Sequence, residues 1–238
     1  MLARPKSEVI FNFMFEFINR AASMHDPIVA NGLDELIPYG NWREKLREAE
    51  RKNASGVGSD ERITILINAF ADSLAHIGNY KYVAETTILR PLRNRALYCL
   101  FYATRHPKGL EVYRDCQVKA LNEQSRTRAV TKVKHSETVS GQGEIFSSLH
   151  EMGNEILSFL ESEIVAARNT MLELTPFEPQ SIRYGELWPQ VLVRHVVRLT
   201  NLNKIGAQFW KEGLIRFPDW EKGKRVPQTD YRMQRPRN

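Results

Sequence analysis

Short apolar runs alternate with one amphipathic helical pattern in the first half of the chain. Runs rich in β-branched and aromatic residues predict three strands, over residues 7–14, 82–89 and 96–104. Between the first two strands, Asp60 caps a helix that ends at Gly78, because apolar residues recur three and four positions apart: Ile63, Ile67, Phe70, Leu74 and Ile77. A further helix begins at Pro107. This order is typical of the end of a doubly wound sheet whose last strand runs antiparallel.

The run at residues 7–14, SEVIFNFM, has the composition of a strand that is buried on both faces of a sheet. Such a strand needs neighbouring strands and covering helices, and the sequence before it predicts none. We therefore expect an apolar strand edge that is exposed in the isolated chain. Ligands of doubly wound sheets bind beyond the carboxyl ends of the strands, so Asn12 and Phe13 are the candidate cleft residues.

The composition changes at residues 122–143, which are polar and charged, have few large apolar side chains, and end in two glycines. This composition favours a flexible linker and a domain boundary. The predicted organisation is an α/β domain over residues 1–121, a linker over residues 122–143, and a C-terminal part over residues 144–238. The spacing of apolar residues over 144–174 predicts a long helix at the start of that part.

The C-terminal segment predicts a helix, a turn, a second helix and a two-stranded hairpin. The first helix covers residues 186–195, and Thr200 caps the second helix at residues 201–212, which Gly213 ends in the left-handed conformation. The hairpin strands are residues 214–220 and 226–234, with Gly223 at the tip between them. This order is the plan of a winged helix-turn-helix domain.

Polar side chains of the second helix and the hairpin tip form the candidate binding surface. The helix is expected to bury Leu202, Ile205, Phe209 and Trp210. Amide side chains read base edges in a major groove, and Lys and Arg contact phosphates. The candidate nucleic-acid-binding residues are Asn201, Asn203, Lys204, Gln208 and Lys211 on the helix and Lys222, Lys224 and Arg225 at the tip. The alternative is a winged helix that makes only protein contacts or caps its own domain.

The charge of the chain is concentrated in this segment. From residue 180 onward there are 12 Lys and Arg against 5 Asp and Glu, whereas the rest of the chain has 22 against 23. The whole net charge of +6 therefore comes from the C-terminal segment. A local excess of this kind is expected of a surface that meets the phosphates of DNA or RNA. A solubilising tail is the alternative, and charge alone does not separate the two.

Other classes of function lack their sequence signals. No run of 18 apolar residues suggests a membrane span, and the N-terminus does not resemble a signal peptide. Two lone cysteines, Cys99 and Cys116, favour a reducing cytoplasm and form neither a disulfide framework nor a zinc site. No metal-ligand spacing occurs among the histidines, which are His25, His76, His106, His135, His150 and His195. A solvated turn, rather than a contact with a nucleic-acid backbone, is expected for the cluster of Arg90, Arg93 and Arg95.

Three blocks of the sequence carry a family resemblance: PKSEVIFNFMFEFINR, RPLRNRALYCLFYATRHPKGLEVYRD and KEGLIRFPDWEKGKRVPQ. They resemble the three-Cys-motif partner proteins, a prokaryotic family usually encoded beside a radical-SAM-like protein. The closing segment is similar to the GMT-like winged helix-turn-helix domain of that family. The resemblance spans essentially the whole chain. It implies a methyltransferase-like Rossmann domain, S-adenosylmethionine as the cofactor of full-length members, and the three-Cys-motif radical-SAM-like protein as a partner.

The sequence departs from this family at its front. It contains no Gly-rich cofactor loop and no Asp-Pro-Phe-Gly motif, and it begins just before what would be the fifth strand. The expected fold is an α/β remnant, the C-terminal half of a Rossmann-like methyltransferase-type sheet, followed by a mostly α winged helix-turn-helix domain. The departure indicates either a fragment or a chain that pairs with a separately encoded front half.

Nucleic-acid binding without a cofactor site in this chain is the expected function. The missing cofactor loop disfavours catalysis by the chain as given. The alternatives are the substrate-recognition half of an S-adenosylmethionine-dependent nucleic-acid methyltransferase, and an interaction module for the radical-SAM-like protein.

Overall fold

A computed structural model of the chain describes residues 7–14, 27–53, 56–89, 96–140 and 147–237. The chain divides into two compact units, Met1–His106 and Pro107–Asn238. Each unit combines helices with short strands in antiparallel pairs. The division falls before the predicted linker and not within it. None of the described helices combines the length and the apolar character that a membrane span requires.

The described strands of the first unit form one sheet of β1 (Val9–Phe13), β2 (Tyr82–Leu89) and β3 (Ala96–Thr104). Strand β3 lies in the middle and runs antiparallel to both neighbours. Strands β1 and β2 therefore point in the same direction on either side of it. The prediction that the last strand of the α/β part runs antiparallel is confirmed.

The prediction that the first strand is buried on both faces is wrong for β1. Its side chains alternate: Phe13 is 3% exposed, whereas Ile10 and Met14 are 67% and 66% exposed. Phe11 also packs against the core, on the same side as Phe13. A strand whose sheet is covered on one face alternates in this way. Among the described residues, only that face of β1 is covered, so the apolar run at residues 7–14 indicated a strand but not its surroundings.

Three described helices complete the first unit: α1 (Pro27–Leu36), α2 (Trp42–Lys52) and α3 (Ser59–Gly78). Helix α3 packs on the sheet through Phe70, whose ring centroid lies 4.6 Å from that of Phe13 and 4.9 Å from that of Phe101. Aromatic rings at these separations add to the hydrophobic contribution of their burial. The core of this unit therefore lies between α3 and the covered face of the sheet.

The described elements of the second unit are α4 (Pro107–Ser140), α5 (Ser147–Leu174), β4 (Ile182–Arg183), α6 (Tyr184–Arg194), α7 (Leu199–Lys211) and β5 (Arg232–Met233). Helices α4 and α5 pack against each other, and α6 packs against both. Strand β5 pairs antiparallel with β4. The residue after β5, Gln234, forms an antiparallel bridge with Arg216, so β5 lies between β4 and the segment that follows α7.

Helix α4 continues through residues 122–140, which the composition had predicted as a flexible linker. That prediction is wrong over these residues. They contain no Gly or Pro, and Ala, Glu, Gln, Lys and Arg are good helix formers. Ser125 and Arg128 are buried, so polar residues of this stretch face a packed side of the helix. The scarcity of large apolar side chains therefore did not indicate disorder.

Candidate nucleic-acid interface

Helix α7 carries five of the eight candidate residues, and its first turn differs from the prediction. The helix begins at Leu199 with Arg198 as the N-cap, before the predicted cap Thr200. The backbone N–H of Arg198 donates to Oδ1 of Asn201 at 3.1 Å, the bond that the third helical residue makes in a capping box. Arg198 also forms an ion pair with Asp115 of α4. The start of α7 is therefore fixed both by its own cap and by α4.

The end of α7 agrees with the prediction. Gly213 has φ of 72°, in the left-handed region that Gly adopts without steric cost. The N–H of Leu214 donates to the Phe209 carbonyl at 3.0 Å, and the N–H of Gly213 donates to the Trp210 carbonyl at 3.2 Å. This pair of bonds is a Schellman motif. It ends the helix and turns the chain toward the segment that pairs with β5.

The inner face of α7 is formed by Leu202, Ile205 and Phe209, which are all buried as predicted. The fourth residue of the predicted inner face, Trp210, is 42% exposed, so its inward placement was wrong. Helical spacing explains the difference, because Trp210 follows Phe209 by 100° around the helix axis. It lies at the border of the apolar stripe, where spacing alone assigns neither side.

The amide side chains of α7 already have partners within the protein. Asn201 takes part in the helix cap, and Oδ1 of Asn203 accepts a hydrogen bond from the Tyr184 hydroxyl at 2.8 Å. Burial raises the pKa of Tyr184, which keeps its hydroxyl a donor. Nε2 of Gln208 donates to Oε1 of Glu212 at 2.7 Å. Bidentate reading of a base edge, which uses both the oxygen and the nitrogen of an amide, would therefore compete with these bonds.

The cationic candidates are all exposed. Lys204 and Lys211 lie on the outer face of α7, seven residues apart and thus close to one line along the helix. Lys222, Lys224 and Arg225 lie in the loop at residues 217–231, around a turn in which Gly223 has φ of 90°. One of the five forms a weak ion pair: Nζ of Lys224 lies 4.0 Å from Oε2 of Glu221. Within the described residues the other four form no ion pair.

The loop at residues 217–231 replaces most of the predicted hairpin. Arg216 and Gln234 exchange backbone hydrogen bonds of 2.8 and 3.1 Å, and the ladder goes no further into the loop. Pro218 and Pro227 explain this, because each lacks the N–H that a paired strand needs. The loop instead packs on α6 and α7: the N–H of Gly185 donates to the Thr229 carbonyl at 2.7 Å, and Gly206 of α7 admits the ring of Pro227.

Several arginines of the same segment are bound to carboxylates and contribute little free charge. Arg216 pairs with Glu178 at 3.0 Å, and Arg232 pairs with Asp219 at 3.4 Å. On α5, Arg168 pairs with Glu212 at 2.7 Å and holds the pKa of that carboxyl below its usual value through the hydrogen bond. The excess of positive charge is therefore presented by only part of the basic residues.

An aromatic cluster that the sequence analysis missed joins α7 to the loop. The rings of Trp210 and Trp220 stack at a centroid distance of 4.3 Å and an interplanar angle of 8°. Trp220 also contacts Phe217, at 5.4 Å, and Tyr231, at 5.9 Å. The sequence signal was the density of aromatic residues between 209 and 231.

The two cleft candidates are separated by the alternation of β1. Asn12 is exposed, whereas Phe13 is buried in the core between β3 and α3. A cavity of about 410 Å³ in the same unit lies elsewhere, between the end of α1 and the start of α2, where Trp42, Arg43 and Arg47 are among the lining residues. Neither Asn12 nor Phe13 lines it. The structure therefore does not bring the two candidates together in a pocket.

Two titratable groups away from the candidate surface, His195 and Cys99, are engaged in packing. Nε2 of His195 lies 2.8 Å from Oγ1 of Thr170, and burial lowers the pKa of His195. Burial likewise raises the pKa of the Cys99 thiol to about 12. Over the described part of the chain, no three His, Cys, Asp or Glu side chains are grouped so that they could hold a metal ion. His25, Arg90, Arg93 and Arg95 lie outside the described residues.

No protein-family model, no curated protein and no solved structure matches this chain.

Proposed function

We propose that the second unit is a winged-helix module that binds nucleic acid through phosphate contacts. The observation that carries the proposal is the exposure of five cationic side chains on α7 and the adjoining loop, four of which form no ion pair among the described residues. Phosphate contacts from Lys and Arg supply most of the affinity of sequence-independent binding. In this proposal α7 is the recognition helix and the loop at residues 217–231 is the wing.

The order of elements supports this assignment. A helix pair, α6 and α7, is followed by a returning chain whose strand β5 lies between β4 and residue 216. The loop packs directly on α7 at Gly206, where a Cβ atom would lie 3.0 Å from the Pro227 ring. The cations of the helix and of the loop therefore belong to one small module.

The proposed binding is governed by phosphates more than by base edges. All three candidate amides are held by Arg198, Tyr184 and Glu212, and breaking such bonds offsets the gain from new ones. Dissociation constants on the order of micromolar or weaker at physiological salt are expected for binding of this type. Different sequences of equal length should bind with similar affinity.

A salt titration tests the proposal. Five phosphate contacts on a duplex predict a slope of log affinity against log salt of about −4 to −5. Changing Lys222, Lys224 and Arg225 together to Ala should make the slope shallower by about 2 to 3. The matched control changes three exposed cations of helix α2, Lys45, Arg47 and Arg51, to Ala, which alters the net charge equally and should leave the slope unchanged.

Two outcomes would contradict the proposal. One is an unchanged slope in the triple variant of the loop. The other is no binding by the wild type at about 50 mM salt, where phosphate contacts are strong. Either result would assign α7 and the loop to protein contacts.

The family resemblance extends the proposal to the first unit. We propose that its sheet is the C-terminal end of a Rossmann-like methyltransferase-type sheet in a three-Cys-motif partner protein. The support is the strand order, in which β3 runs antiparallel between two strands that share a direction. In that setting S-adenosylmethionine would bind to a front half outside these strands, and the radical-SAM-like protein would be a partner of the whole assembly. Calorimetric binding of S-adenosylmethionine by this chain alone would contradict it.

A further inference from the structure

Trp210 is an exposed indole beside an exposed lysine. It is 42% exposed at the end of α7 and is followed directly by Lys211. Its ring stacks on Trp220 at 4.3 Å, nearly parallel. Trp is enriched in binding interfaces relative to the rest of a protein surface.

The stack is held from the inside. Trp220 contacts Phe217, which is buried, and Tyr231, which is 1% exposed. The Tyr231 hydroxyl also accepts a hydrogen bond from the backbone N–H of Glu221 at 3.3 Å. The position of Trp220, and through it the plane of Trp210, is therefore set by the core of the module. A ring that is fixed before binding loses little entropy when a ligand stacks on it.

The surroundings of Trp210 identify the chemistry of the ligand. Each amide of α7 already makes a hydrogen bond within the protein, whereas the ring of Trp210 and the cations of α7 and the loop are exposed. A ring beside a basic groove is how proteins bind single-stranded nucleic acid, because bases stack on the ring while Lys and Arg follow the backbone. In a continuous duplex the faces of the bases are covered by their neighbours.

We propose that Trp210 is a stacking platform for an unpaired base, and that the preferred ligand of this surface is single-stranded nucleic acid. The proposal rests on the proposed function, since it names the form of nucleic acid that the same surface binds. Lys211, which directly follows Trp210 and is exposed, favours this anionic ligand over an apolar protein segment, which would offer the ammonium group no partner.

The test compares a 15-nucleotide single strand with a 15-base-pair duplex of the same sequence at about 50 mM salt. Trp210→Leu keeps an apolar side chain over Trp220 and removes the aromatic face, whereas Trp210→Phe keeps a ring. Leu214→Ala is the matched control, because Leu214 is a similarly exposed apolar residue just beyond α7. Thermal unfolding of each variant shows whether the module stays folded.

Stacking predicts that Trp210→Leu weakens single-strand binding about 5- to 150-fold, the effect expected for one stacked base. Trp210→Phe should recover most of this loss. Duplex affinity and the salt slope should be unchanged in both variants, as should every property of Leu214→Ala. Equal binding of the single strand by the wild type and Trp210→Leu would overturn the stacking proposal alone. If the wild type bound neither the single strand nor the duplex, the proposed function would be overturned as well.

Discussion

A buried arginine, Arg114, holds the helix pair of the second unit against α4. It is 1% exposed. Its Nε donates to the Leu192 carbonyl at 2.6 Å, its Nη2 donates to the Val193 carbonyl at 2.9 Å, and its Nη1 donates to Oε1 of Gln117. The two carbonyls belong to the last turn of α6, where no further turn of the helix supplies donors. Arg114 thus caps the end of α6 from the side.

The expected cost of losing this cap follows from the number of bonds. Arg114→Met keeps an unbranched apolar stem and removes the guanidinium. Hydrogen bonds that involve a charged group contribute about 1.5 to 3 kcal/mol each, so the two bonds to α6 give about 3 to 6 kcal/mol. Met needs no desolvation of a charge, which offsets part of the loss. We therefore expect a decrease of about 3 kcal/mol in the free energy of unfolding.

Urea denaturation followed by circular dichroism measures this loss. The midpoint should fall while the dependence on urea stays the same, because the variant exposes the same surface on unfolding. Arg126→Met, an exposed position on the same helix with an ion pair to Glu123, is the control and should change stability by less than about 0.5 kcal/mol. Equal urea midpoints for the two variants would refute the stabilising role of Arg114.

Two further predictions concern the packing that positions the binding surface. Gly185→Ala should lower the melting temperature and weaken binding, because a Cβ there would lie 2.4 Å from Cγ2 and 2.7 Å from the carbonyl oxygen of Thr229; Gly32→Ala, where a Cβ meets no atom within 4 Å, should do neither. Burial lowers the pKa of His195 below its usual 6.5, so its contribution to stability is complete above about pH 6.5 and is lost as the pH falls below it. His195→Gln should flatten the dependence of the urea midpoint on pH in that range, and a parallel shift of the whole curve would contradict the assignment.

Local patterns predicted the parts of α7 that depend on local geometry. The spacing of Leu202, Ile205 and Phe209 fixed the buried face of the helix, because those positions follow its period. Gly213 marked its end, since the left-handed turn of a Schellman motif strongly favours Gly. The antiparallel run of β3 followed from the order of elements in the first unit. Each of these features is set within a few residues or by connection rules that hold across folds.

The remaining features of the binding surface depend on residues that are far apart in the sequence. The bond from Tyr184 to Asn203 spans 19 positions, and it requires α6 and α7 to be already packed. The stack of Trp210 on Trp220 depends on how the loop returns, which the two prolines of that loop altered. Local spacing therefore located α7 and its exposed basic residues, whereas the hydrogen bonds of its amides depend on tertiary contacts.

The way charge is distributed on the module limits how strongly binding can depend on salt. If all 12 basic residues from residue 180 onward met phosphates, the slope of log affinity against log salt would approach −11. Arg198, Arg216 and Arg232 are held by carboxylates, and releasing a paired arginine to a phosphate exchanges one ionic contact for another. Four more, Arg183, Arg194, Arg235 and Arg237, lie outside α7 and the loop. Contacts from the five exposed cations of α7 and the loop alone give a slope of about −4 to −5. A measured slope steeper than about −7 would mean that basic residues outside α7 and the loop also contact phosphates, and that the surface is wider than α7 and the loop.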